Sequence, residues 1–276
     1  MGLPSAPKPR NVSDLPSGQL LPAPISWRRD IPLYYNKTAA EYRADVYERY
    51  DELVSRQMAL HLTDELRGDY PFQPVLDYVL RQLPDQDRAA LTDVGCSLGR
   101  IAAEIAQRKP GWDVYGLDFS YQMLRHAHDY WKKGVTLTPH LARYGWENPS
   151  LSGPQVTNLH FALASGQDLP FADETLDVVI NTFLLDRLPN PARGLAEWRR
   201  VLRPGGKLIM VTPLNFLSPD GWRNWNPPVK LLEHLLQQGW TLEDWVDPLE
   251  VREPMDERGN AVVWQTVAGV FTKDGQ

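Results

Sequence analysis

The sequence predicts an α/β fold: a mostly parallel sheet with an antiparallel last strand, behind an N-terminal helical cap. Three observations lead there. From Ala89 onward, short apolar runs alternate with amphipathic helical ones, the pattern of βαβ units and a parallel sheet. Ahead of that point the periodicity is helical. At the C-terminal end the alternation stops: Trp240–Val246 and Ala261–Thr272 are strand-like with no helix between them, and Asp256–Asn260 supplies turn residues. An antiparallel pair at the sheet edge fits that ending.

Composition sets the bounds. Domains run about 100–200 residues, so a chain of 276 residues is one large domain or one plus a cap. Hydrophobic residues make up 42% and charged residues 23%, a globular balance. The net charge of −6 argues against a nucleic-acid partner, which requires a positive face. Cys96 is the single cysteine, which excludes an internal disulfide and a cysteine metal cluster. The six histidines show no metal-ligand spacing. No long apolar run predicts a membrane span. The start, Met1–Ala6, matches neither a signal peptide nor a myristoylation site, so a cytoplasmic setting is expected.

The elements follow in order. Residues 1–30 read as a flexible tail, with Pro4, Pro7, Pro9, Pro16, Pro22 and Pro24 and little apolar content. Residues 31–85 read as a helical cap on the substrate side. Lys37–Leu62 forms one long amphipathic helix by the spacing of Val46, Tyr50, Leu53, Val54, Met58 and Leu62. A second helix starts near Pro74 and runs to about Leu83. The core is 86–276. Its strands are expected at Ala90–Val94, Asp113–Leu117, Leu159–Leu163, Leu176–Asn181 and Lys207–Thr212. Its helices are expected at Leu98–Arg108, from a Ser120 cap to about Lys133, at Pro191–Leu202, and at Pro228–Gln238 with Gly239 as stop. Residues 134–158, with Pro139, Pro149 and Pro154, break the alternation and read as an insertion. Loops of that length are often functional.

The chemistry centres on Asp93-Val94-Gly95-Cys96-Ser97-Leu98-Gly99, between a strand and a helix. Small residues there let the backbone approach a ligand, and the helix N-terminus adds unpaired N–H groups. Asp118 follows Gly95 by 23 residues, at the end of the next strand. A carboxylate there accepts the ribose hydroxyls of an adenosine. That geometry serves a nicotinamide dinucleotide and S-adenosylmethionine alike. The spacing Gly95-x-Ser97-x-Gly99 followed by Arg100 lacks the third glycine of a pyrophosphate cradle.

Taken together, Asp93–Gly99, Leu169-Pro170-Phe171 with Leu176-Asp177-Val178-Val179, and Arg200-Val201-Leu202-Arg203-Pro204-Gly205-Gly206-Lys207-Leu208 resemble, in order, the motifs of class I S-adenosylmethionine-dependent methyltransferases. The resemblance covers roughly residues 75–272. It implies a Rossmann-like sheet of seven strands, the last antiparallel. It further implies that Gly95, Cys96, Ser97 and Gly99 approach the methionine part of S-adenosylmethionine and that Asp93 orients it. Asp118 would hold the ribose, with Phe119 beside the adenine. Ser165 and Gly166 fall where the family often has Asp-Ala, whose Asp touches the adenine amino group; Asp168 either compensates or lies on the surface. Asn181 and Thr182 fall beside the methyl group. No metal is implied. Arg203–Gly206 reads as a structural turn.

Methyl transfer needs positioning first, and a base where the acceptor carries a proton. Asp186 and His140 are the candidate bases; for Asp186 a structural pairing with Arg187 is the alternative. Tyr34, Tyr35, Arg187 and Trp222 are candidate acceptor contacts. The expected acceptor is a small organic molecule, methylated on N or O, with no membrane partner. Asp51–Gln57, His61, Leu98-Gly99-Arg100 and Phe119-Ser120 also resemble methyltransferases of histidine-derived small molecules. Competing readings are a nicotinamide-dependent oxidoreductase, a non-catalytic partner protein that keeps the fold, and a protein methyltransferase.

Overall fold

The computed structural model describes residues 20–64 and 69–275. The part of the expected tail over residues 1–19 lies outside the described residues. Strands β1 (Ser26–Arg28), β2 (Ile31–Leu33), β3 (Ala90–Val94), β4 (Asp113–Asp118), β5 (Thr136–Leu137), β6 (Leu151–Ser152), β7 (Leu159–Leu163), β8 (Leu176–Thr182), β9 (Leu202–Thr212), β10 (Trp240–Pro254) and β11 (Ala261–Lys273) are joined by eight helices. These are α1 (Ala39–Ala44), α2 (Asp51–His61), α3 (Gln73–Gln82), α4 (Arg100–Arg108), α5 (Tyr121–Trp131), α6 (Pro191–Val201), α7 (Pro219–Trp225) and α8 (Val229–Gln237).

The main sheet has the order β1-β2-β7-β4-β3-β8-β9-β11-β10. Its centre, β7-β4-β3-β8-β9, is parallel, and β11 enters antiparallel between β9 and β10. The seven strands expected are therefore present, with two short ones added at the edge. β2 lies parallel to β7 through Leu33 and Leu163, and β1 folds back on it. Three-residue strands in a proline-rich stretch give no periodic signal, so the sequence predicts only tail and cap here.

Period-two alternation splits the strands between two cores. Leu91, Val114, Val178 and Ile209 face α2, α3, α4 and α5; Ala90, Tyr115, Val179 and Leu208 face α6 and α8. The result is a three-layer sandwich with every central strand buried on both sides, as a parallel sheet requires.

The single helix expected over Lys37–Leu62 is broken. Helix α1 ends at Ala44, a 3₁₀ turn covers Val46–Glu48, and α2 starts at Asp51. Asp45 causes the break: its side chain accepts from the N–H groups of Tyr47 and Glu48, capping the turn, and its other oxygen takes Lys37 Nζ at 2.6 Å. A side chain offering the backbone this alternative competes with helix continuation. Trp222 and Trp225 lie on α7. Residues 203–206 bulge out of β9, where the register to β8 jumps, and Gly205 there has φ +75°.

Candidate active site

The strand order reverses at β3. The chain moves outward through β4 and β7, then returns to place β8 and β9 on the other side. The crevice above such a switch point is where open α/β sheets bind ligands. Asp93 and Val94 end β3 opposite Ile180 and Asn181 of β8. Asn181 is fully buried; its Nδ2 donates to Val94 O at 3.1 Å, while its Oδ1 has no partner among the described residues. Asp93 Oδ1 is likewise buried and unpartnered. Burial, then the nearby Asp118 charge, pushes the Asp93 carboxyl up to about 7, against the N–H of Ala102 in the first turn of α4.

The loop after β3 alternates in handedness, with φ +80° at Gly95, +52° at Ser97 and +73° at Gly99. Glycine adopts that conformation freely. Ser97 adopts it at a cost of about 1–2 kcal/mol, held by a hydrogen bond from its N–H to Asp118 Oδ2 at 2.8 Å. The other Asp118 oxygen takes the Ser120 N–H at 2.7 Å. One carboxylate thus fastens the glycine loop to the start of α5. Burial pushes Asp118 up to about 6 despite these two donors. Cys96 is buried beneath the loop and its N–H, like that of Gly95, donates to Leu117 O.

Beside Asp118, Phe119 meets the ring of Tyr35 at 5.3 Å between centroids and the ammonium of Lys37 at 4.5 Å. Ser165 and Gly166 form a turn, with Ser165 Oγ accepting from Gln167 N and Gly166 O accepting from the Trp198 indole. Asp168 ends that turn and is exposed. The structure therefore brings Asp93, Gly95, Cys96, Ser97, Gly99, Asp118, Phe119, Ser165, Gly166, Asn181 and Thr182 to the strand ends around one crevice.

The catalytic and acceptor candidates are scattered by comparison. Asp186 is buried in a 3₁₀ turn after β8; Thr212 Oγ1 donates to its Oδ1 at 3.3 Å and Arg187 lies 3.6 Å from Oδ2. It fastens the loop after β9 to the loop after β8, and burial raises its pKa. His140 is exposed in the insertion, Arg187 and Trp222 are exposed, and Tyr34 packs against the core on the α6 and α8 face, its hydroxyl donating to Pro22 O. Only Tyr35 of the four acceptor candidates reaches the crevice.

A different group closes the crevice on the side of β8. Phe183 follows β8 at φ +57° and meets Phe72 at 5.5 Å and Trp264 of β11 at 6.0 Å. The Trp264 indole donates to Glu253 Oε2 at 2.8 Å, and Arg56 of α2 donates to Glu253 Oε1 at 2.5 Å. Phe72 stacks on His61, whose Nδ1 lies 3.0 Å from Tyr70 Oη. Burial, with the Arg100 and Arg56 charges, pulls His61 down to about 4, so it is neutral at pH 7. Tyr47 feels the carboxylates of both Asp118 and Glu253, which raise its pKa after burial does. The sequence signal for these residues was weak: they come from α2, the Phe72 loop, β8 and a long β10–β11 hairpin, far apart in the chain.

Residues 92–210 match the family described as methyltransferase domain. This segment is similar to class I methyltransferase domains. Its family uses S-adenosylmethionine as methyl donor. An uncharacterized methyltransferase of Schizosaccharomyces pombe is 31% identical over 129 residues, 47% of this chain and 41% of that protein. Trans-aconitate 2-methyltransferase of Streptomyces avermitilis is 30% identical over 155 residues, 55% of this chain and 50% of that one. The chain thus spans about half the length, or less, of these curated relatives. Among solved structures, the [4+2]-cyclase SpnF has a TM-score of 0.57 at 15% identity, covering 84% of this chain and 96% of that one. Its name, a cyclase on this fold, shows that the fold alone does not set the reaction.

The residues present fit the family's cofactor. Two buried oxygens without partners, Asp93 Oδ1 and Asn181 Oδ1, flank the crevice, and a Cβ on Gly95 would come within 3.0 Å of Leu184. Among the described residues no cluster could hold a metal, and no helix is long and apolar enough to cross a membrane.

Proposed function

We propose that the protein transfers the methyl group of S-adenosylmethionine to an N or O atom of a small organic acceptor. The observation that carries this reading is Asp118: one buried carboxylate fixes both the glycine loop and the α5 start, leaving its remaining lone pairs for a ribose. Asp93 and Asn181 supply acceptors for the ammonium of the methionine part, and Gly95, Ser97 and Gly99 let the backbone approach it.

When bound, the sulfonium supplies an activated methyl group, so the bond from the acceptor forms as the bond to sulfur breaks. The protein's task is positioning, which is worth up to about 7–11 kcal/mol. Phe183, Phe72, Trp264 and Tyr47 form an apolar wall for the acceptor's body. Arg56, Glu253 and the neutral His61 supply its polar contacts. In this reading Asp186 anchors a loop, and the base is a group of the acceptor pocket or solvent. Trans-aconitate, the acceptor named for one relative, carries carboxylates, and Asp51–Gln57, His61, Leu98-Gly99-Arg100 and Phe119-Ser120 resemble enzymes of histidine-derived acceptors; both classes belong in a substrate test.

Release of S-adenosylhomocysteine should be measured with panels of small carboxylic acids and imidazoles, for wild type and Phe183→Ala. Turnover of a small acceptor that falls at least 10-fold in the variant supports the reading. Turnover only on proteins, or none while the cofactor binds, contradicts it.

A further inference from the structure

Ser165 stands at the turn after β7, and the exposed Asp168 lies close enough to Tyr35 to raise its pKa. The N-terminal segment lies against the same end of the crevice. Leu33, Tyr35, Asn36, Lys37, Tyr121 and Leu163 line a cleft beside Phe119. Register places Leu163 opposite both Asp118 and Leu33, so the cleft opens directly off the ribose end of the crevice.

The segment is fastened there. The Lys37 side chain is 1% exposed; its Nζ lies 2.6 Å from Asp45 Oδ2 and 3.5 Å from Glu48 Oε1. Glu48 Oε1 also accepts the Tyr121 N–H at 2.6 Å, at the start of α5. Lys37 is close enough to Asp118 to lower its pKa. The Tyr35 hydroxyl is committed to Glu41 at 2.8 Å. Asn36 is exposed and lines the cleft, and none of the side-chain hydrogen bonds among the described residues involves its amide. An amide carries a donor and an acceptor side by side, the pair that matches the amino group and ring nitrogen of adenine.

We propose that Asn36 reads the adenine edge of the cofactor from the N-terminal segment, while Lys37, Asp45 and Glu48 hold the segment in place. The contact lies outside residues 92–210, the matched segment. It rests on the cofactor reading above.

The test is calorimetric binding of S-adenosylhomocysteine and of its analogue with hydrogen in place of the adenine amino group, which has no donor for the amide oxygen. Wild type should prefer the adenosyl ligand by on the order of 10-fold. Asn36→Leu should weaken that ligand by a similar factor and bind both alike. Lys37→Met should weaken both equally, because it frees the segment. An Asn36→Leu protein that keeps wild-type affinity and preference overturns the proposal alone. A wild type that binds neither ligand overturns the cofactor reading and this proposal with it.

Discussion

Replacing Gly99 by alanine tests the loop that shapes the crevice. Gly99 caps α4 in the left-handed region at φ +73°, and a Cβ there would lie 2.6 Å from two atoms of the Phe161 ring. That ring is 4% exposed and wedged between Gly99 and Gly116, where a Cβ would also come within 2.8 Å. The backbone term costs about 1–2 kcal/mol and overpacking a further 1–3 kcal/mol, so Gly99→Ala should lose about 2–5 kcal/mol. Gly205→Ala separates the two terms. Its φ is +75° with nothing within 4 Å of the added Cβ, so it should lose only the backbone part. Urea unfolding followed by tryptophan fluorescence gives both values. In Gly99→Ala combined with Phe161→Leu the coupling should be favourable, since the smaller side chain makes room. Equal losses for Gly99→Ala and Gly205→Ala would refute the Phe161 contact as the reason for glycine.

Three further outcomes follow from the site. Asp93 titrates near 7 in the folded chain, above its ordinary value of 3.8. The folded state therefore holds a proton that the unfolded state has lost, and stability should fall between about pH 4 and 7 and level off above. Asp93→Asn should flatten that slope in urea titrations at pH 5, 6, 7 and 8; an unchanged slope would contradict the assignment. Arg56→Met should cost about 1.5–3 kcal/mol by removing a charge-assisted hydrogen bond from the half-buried Glu253, which keeps the Trp264 indole, and adding Glu253→Gln should recover much of the loss, read from the same unfolding curves. Asp186→Asn should leave methyl transfer within about 10-fold of wild type if the residue anchors a loop; a loss of on the order of 1,000-fold would mark it as a base.

The central strands and the proposed cofactor side of the site were legible because their signals are local. Strand, glycine loop and helix fit into residues 90–108, and Asp118, the carboxylate proposed for the ribose, ends the very next strand. The proposed acceptor side was not. Phe183, Trp264, Glu253 and Arg56 meet only after β10 and β11 extend past the sheet and return against α2, and no sequence period records that. The long N-terminal helix failed because periodicity over Lys37–Leu62 carries no weight for Asp45, whose side chain caps a new turn and pairs with Lys37. Edge strands β1 and β2 are too short to alternate. Tyr34 and Tyr35 share a sequence neighbourhood, yet alternation along the extended segment sends Tyr34 to the α6 and α8 face of the sheet and Tyr35 to the opposite face, onto Phe119.

The most direct test of the account is a calorimetric titration of S-adenosylmethionine into wild type and Asp118→Ala, with folding of the variant verified by circular dichroism. A hydrogen bond to a charged carboxylate is worth about 1.5–3 kcal/mol, so the variant should bind on the order of 10- to 100-fold more weakly. Equal affinity in the two proteins, or no binding by wild type, would contradict the assignment of this crevice to the cofactor.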